Sequence, residues 1–207
     1  MKRDLYWDCL KFILIFLVAY GHVLNATTLP DDFSSGMAKF IYLFHMPLFI
    51  FVSGRFSHVH DRDKYKRGIW RLLETFLLFM ILTTFLKYGF VPIVAYATHR
   101  ADTIAINWSD AFDYIIANPN YLWYLLTLIY YRLMVLYIPE KWINNKKGVL
   151  AASIVLSLAG GFIPVGYEFS FQRTLAFLPF FVLGYYSVEY DIQKRVSKMP
   201  SALVGGV

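Results

Sequence analysis

The chain has 207 residues, 58% of them hydrophobic and 19% aromatic, with only 16% charged and a formal net charge of +6. Soluble proteins of this size rarely combine so little charge with so many Phe and Tyr, and several windows of about twenty residues are nearly charge-free, so an integral membrane protein is expected. The basic residues fall in short segments between the apolar windows, which excludes a nucleic-acid partner as the reason for them and matches the positive-inside pattern.

Six spans are predicted, at residues 9–24, 37–56, 72–94, 121–137, 148–163 and 174–189, giving an all-α polytopic transmembrane bundle as one domain over residues 1–207. The first span organises the rest. It belongs to a helix running from Asp4 to His22 that places Asp4, Asp8, Lys11 and His22 in otherwise lipid-grade sequence. At roughly 100° per residue, the steps from Lys11 to His22 make three turns plus about 20°, so the two side chains share a face about 16 Å apart. Asp8, three residues before Lys11, joins that stripe and can pair with it. Ionisable groups inside a span face a cavity or a partner rather than lipid, so the stripe is expected to wall an internal site. Met1 to Gly21 carries early acidic residues and no A-x-A-like cleavage signal, so this span is expected to remain attached. Cys9 is the only cysteine, which excludes an intrachain disulfide and a cysteine metal cluster.

In the second span, Pro47 removes a backbone bond and frees the carbonyl of Leu43. His45 sits beside that opening. Ahead of the third span, residues 62–71 pack five basic side chains (Arg62, Lys64, Lys66, Arg67, Arg71) into ten positions. A segment of about 95–120, with Trp108, is expected to cover the outer face. Arg132 in the fourth span needs a partner or snorkels toward the interface. The final residues, from Pro200 to Val207, read as the entry to a seventh span that stops short. Fourteen basic residues fall on one side (Lys2, Arg3, Arg55, Arg62, Lys64, Lys66, Arg67, Arg71, Lys141, Lys146, Lys147, Lys194, Arg195, Lys198) and four on the other (Lys39, Lys87, Arg100, Arg173). This bias predicts an N-in, C-in topology.

Two stretches carry a family resemblance. The first is Arg3-Asp4, Asp8, Lys11, Leu17-Val18 and Gly21-His22; the second is Phe44-His45-Met46-Pro47-Leu48-Phe49-Ile50-Phe51-Val52-Ser53-Gly54. Leu122-Trp123-Tyr124-Leu125 and the run from Phe177 to Tyr185 add weaker matches. Together they resemble the acyltransferase 3 family of membrane O-acetyltransferases, with the fucose 4-O-acetylase-like branch nearest in pattern. The resemblance implies acetyl transfer from cytoplasmic acetyl-CoA to a hydroxyl of a cell-envelope or exported glycan, at the inner (plasma) membrane. Lys11 and His22 match the family's pattern of a basic residue, ten residues and a histidine, where many members have Arg first. Arg67 and Arg71 stand in place of the family's R-x-x-R pair, one residue wider. The family's full fold has about ten spans, so this chain is expected to be short of it.

On that resemblance, His22 is the candidate catalytic base, since acyl transfer to a hydroxyl needs a proton acceptor and imidazole has a suitable pKa. The ordinary alternative is a helix-end histidine bonded to a loop carbonyl. An acetyl-imidazole intermediate and direct transfer both remain open. Lys11, with Asp8 as partner, is a candidate catalytic cation for the thioester or pyrophosphate; a structural ion pair is its alternative. Arg67, Arg71 and Arg55 are candidate cofactor-binding residues, because guanidinium groups hold phosphates bidentately, while the positive-inside signal alone would also explain them. His45, Asn25 and Trp123 are candidate substrate-binding residues; a core histidine and an interface aromatic are the alternatives for His45 and Trp123. Glu74 is expected to pair with Arg67 or Arg71. No metal is expected: His58 and His60 form an H-x-H that lacks further ligands. A transporter or permease with a polar path along the same stripe is the rival class, and a non-catalytic fragment a third reading.

Overall fold

The computed structural model describes residues 5–26, 32–98, 122–162 and 168–188, and within these every regular element is helical. The six predicted spans all fall on described helices, although residues 121, 163 and 189 at their margins lie outside the described part. Two of these helices, Leu5–Leu24 and Arg62–Val94, are long and apolar enough to cross a bilayer. Most of the 95–120 segment and the terminal run after Val188 also lie outside the described residues. The chain divides into two compact units, Met1–His58 with Pro179–Val207, and Val59–Leu178.

In the first unit, α1 (Leu5–Ala26) lies along α2 (Asp32–Arg55). The seam on α1 is Trp7, Leu14 and Gly21, seven residues apart and all buried. A seven-residue repeat keeps one face of a helix against a neighbour. Trp7, Leu14 and Val52 form the packed core with Leu10, Leu48, Phe49 and Phe51 around them. On α2 the buried residues Ile41, His45 and Val52 have the matching helical spacing, and Ile50 is buried beside them. The opposite face of α1 exposes Phe12, Ile13, Ile15 and Phe16, an apolar surface of the kind lipid covers. The helix α2 runs through Pro47 without a break.

The last of the α-helices, α8 (Phe171–Tyr186), contributes its part from Pro179 onward to this unit. Here two glycines set the spacing. A Cβ at Gly54 would overlap the carbonyl oxygen of Phe181, and one at Gly184 would overlap that of Phe51. Backbone therefore meets backbone, which only glycine permits, and close approach is how helices gain contact where lipid removes the hydrophobic drive.

The second unit contains α3 (Arg62–Thr84), a π-helical turn (Phe85–Phe90), α4 (Val91–Ala97), α5 (Trp123–Tyr137), the single turn α6 (Glu140–Ile143), α7 (Lys146–Phe162) and the start of α8. The basic segment 62–71, read from sequence as the approach to the third span, is the first part of α3. Asp61 explains the earlier start: its carboxylate accepts from the backbone N–H groups of Asp63 and Lys64, at 3.0 and 3.1 Å, as an N-cap. The π-helical turn leads into Pro92, which stands in the first turn of α4. Val91 N–H bonds the carbonyl of Leu86, five residues back. A proline ring clashes with the carbonyl four residues before it, and the wider π turn relieves that clash.

The core of this unit joins Ile69 and Phe76 of α3 to Ile129 and Leu136 of α5. The helices α5 and α8 share buried hydroxyls. Thr127 and Thr174 bond at 3.0 Å, Tyr131 Oη donates to the Thr174 carbonyl at 2.6 Å, and Thr174 Oγ1 donates to that of Ser170 at 2.9 Å. Satisfied polar pairs of this kind fix register without exposing a polar atom to lipid. Phe169 and Ser170, entering α8, hold positive φ angles of 50° and 58°, a conformation costly for residues with a side chain.

Candidate active site

Two groups of side chains lie along α1 and α2. The first surrounds Lys11. Its Nζ is 4.0 Å from an Asp8 carboxylate oxygen, with both side chains little more than one-third exposed. The ammonium also sits 3.8 Å from the centre of the Phe56 ring. Beside it, the Arg55 guanidinium lies 4.4 Å from the Trp7 ring, and Trp7 meets Phe56 edge-on at 6.0 Å. Arg55 Nη1 donates to Ser187 Oγ at 3.1 Å, and Ser187 Oγ donates to the Gly184 carbonyl at 2.6 Å. His58 stacks on Tyr185 at 4.1 Å and directs Nε2 to the Tyr185 carbonyl at 2.8 Å, so Nε2 carries the ring proton. Aromatic faces thus hold Lys11 and Arg55 side by side, and cation–π contact steadies a charge without neutralising it.

The second group contains His22 and His45. His22, exposed near the end of α1, meets the Tyr42 ring edge-on at 6.4 Å; Tyr42 meets His45 edge-on at 5.0 Å. His45 is 2% exposed. Its Nδ1 lies 2.6 Å from the Ile41 carbonyl, which requires a proton on Nδ1 and leaves Nε2 as the lone-pair nitrogen of the neutral ring. Lys11 and His22 both turn toward α2, Lys11 at Phe56 and His22 at Tyr42, as the shared helix face requires.

The other sequence-predicted residues distribute as follows. Asn25 lies within α1, but its side chain is outside the described part. Arg55 joins the Lys11 group. Arg67 and Arg71 belong to the second unit, exposed and one turn apart on α3. Glu74 is exposed on the same helix, and no ion pair joins it to Arg67 or Arg71 among the described residues. The expected pairing is therefore not formed: exposed side chains gain little by holding one geometry. Trp123 stacks on Phe177 at 5.5 Å with the Arg173 guanidinium 5.3 Å from its ring. Arg132 lies 5.9 Å from the Tyr65 ring, with its Nε buried and lacking a hydrogen bond among the described residues. Sequence reasoning missed Tyr42, Trp7 and Phe56, and named Gly21 only as part of the Gly21-His22 motif, without its packing role. The seven-residue repeat of Trp7, Leu14 and Gly21 was visible in the sequence; the bridging of two histidines by Tyr42 depends on how α1 meets α2.

A family described as "Acyltransferase domain" matches residues 4–205, nearly the whole chain. The chain therefore belongs to the acyltransferase 3 family. It is also similar to the nodulation protein NolL of Sinorhizobium fredii, 47% identical over 56 residues, 26% of this chain and 15% of NolL. The matched part thus spans a small fraction of that relative's length. No solved structure matches the chain.

Proposed function

We propose that the chain is a multi-pass inner-membrane O-acyltransferase that moves an acetyl group from acetyl-CoA to a hydroxyl of a cell-envelope or exported glycan. The observation that carries this reading is the placement of His22: an exposed imidazole on an apolar helix, within the family match, sharing its helix face with the Lys11–Asp8 pair. The exposed Phe and Ile of α1 support burial of this helix in lipid. The six helices at the predicted spans and the basic bias of one side support the N-in, C-in arrangement.

In this reading the phosphate end of the donor lies near Lys11 and Arg55 and its thioester reaches along α1 to His22, while Arg67 and Arg71 on α3 are separately proposed as phosphate ligands. His22 takes the proton of the acceptor hydroxyl as oxygen attacks the acetyl carbonyl. The C–S bond then breaks, the acetyl ester forms, and the proton passes to the leaving thiolate. His45 and Asn25 serve the acceptor, and Trp123 in the second unit is proposed separately as a sugar-stacking residue. The test is acetyl transfer from radiolabelled acetyl-CoA to a panel of saccharides by the full chain in lipid nanodiscs. Transfer by wild type that His22→Ala abolishes is the expected result. Full activity in His22→Ala would sink the mechanism.

A further inference from the structure

We infer that Tyr42 is a positioning residue that holds His22 and His45 in one fixed arrangement, with Gly21 leaving the room its ring occupies; this rests on the acyl-transfer reading above.

Tyr42 presents its ring to both imidazoles, at 6.4 Å to His22 and 5.0 Å to His45, with interplanar angles of 88° and 79°. Both are edge-to-face contacts within the favourable 4.5–7 Å range for rings with a π quadrupole. His45 cannot adjust to suit Tyr42, because the Ile41 carbonyl fixes Nδ1 at 2.6 Å and the surroundings bury the ring. The rigid end of the chain of rings is therefore His45, and Tyr42 passes that constraint to the exposed His22. On the other side, a Cβ at Gly21 would lie 3.4 Å from Tyr42 Cε2 and 3.6 Å from Ile41 Cγ2. One methyl fits at contact distance. A branched side chain does not, and would push the Tyr42 ring.

Reactivity depends on such placement, because a general base displaced by about 1 Å can lose on the order of 100-fold in rate. The hydroxyl has no part in this inference; the ring does the positioning. Tyr42→Phe therefore retains activity, while Tyr42→Ala lowers kcat on the order of 100-fold and leaves the KM for acetyl-CoA within about 2-fold. Gly21→Ala stays near wild type, and Gly21→Val repeats the Tyr42→Ala pattern with the ring still present.

The experiment measures kcat and KM of the full chain in nanodiscs for these four variants. It also maps, by mass spectrometry, carbethoxylation of each histidine by diethyl pyrocarbonate, which needs no enzymatic activity. The expected result is His22 reactive and His45 protected in wild type and Tyr42→Phe, with His45 becoming reactive in Tyr42→Ala. A wild-type chain that transfers no acetyl group overturns the function itself. An active wild type with unchanged kcat in Tyr42→Ala and Gly21→Val overturns only the role of Tyr42, as does loss of activity in Tyr42→Phe.

Discussion

At the residue scale, the proposed site sets a charged group apart from the proposed base. Lys11 keeps its ammonium against Phe56 and Asp8, while His22 stands eleven residues further along the same helix face. Replacing His22 by Ala is expected to lower kcat by about 10²–10⁴-fold, the usual contribution of a general base, as measured by acetyl transfer at saturating donor. Lys11→Arg, which keeps the charge and supplies the residue many family members have, should retain activity, whereas Lys11→Met should lose it; equal rates in both would show that the charge is dispensable. Asp61 gives a pH-dependent signature outside the spans. Backbone hydrogen bonding from Lys64, then from Asp63, holds its carboxyl below the ordinary value of 3.8. A depressed carboxyl contributes stability above its unfolded pKa and loses it as pH falls through the folded one. The amides of Asp63 and Lys64 should therefore lose hydrogen-exchange protection on acidification below about pH 4, and Asp61→Asn, which caps without titrating, should not show that change.

At the element scale, the crossing of α2 with α8 is the most exacting contact in the first unit. Gly54→Leu or Gly184→Leu must drive the backbones apart, and overpacking of this kind costs about 1–3 kcal/mol or more. Either variant should lower the thermal midpoint in detergent by several degrees, and a midpoint unchanged in both would contradict the packing. How legible these elements were differs from case to case. The apolar runs marked the long helices, because a span needs length and low charge and little else, while the single turn α6 lay outside them. The Lys11–His22 face followed from helical periodicity alone. The start of α3 was less visible, since five basic residues looked like a surface segment and the capping role of Asp61 depends on local geometry. Arg55 was expected as a phosphate ligand, and only the folded chain shows it resting on Trp7 and bonded to Ser187, a residue 132 positions away. Long-range partners of that kind have no periodicity to betray them.

At the scale of the whole molecule, the match over residues 4–205 places the chain in the acyltransferase 3 family, and the basic bias predicts its orientation. With Cys9 replaced by Ser, a cysteine at the exposed position of Lys64 should react with a membrane-impermeant maleimide only after cells are permeabilised; labelling in intact cells would reverse the topology. Acetyl-CoA binding to the full chain should weaken in an Arg67→Ala/Arg71→Ala double variant, as read by equilibrium dialysis in nanodiscs, and unchanged affinity would remove these residues from the donor site. The helix bearing those arginines has a further property. From Arg62 to Val94 it is 33 residues long, about 50 Å at 1.5 Å per residue, against a hydrocarbon core of about 30 Å. Its basic first turns must therefore stand clear of the hydrocarbon, and how far they stand depends on the lipid. A thicker bilayer swallows more of the helix or draws it upright, and a thinner one lets it lean. The height of Arg67 and Arg71 above the surface is thus set by acyl-chain length, and under the proposed donor role the affinity for a water-borne donor would follow the thickness of the membrane.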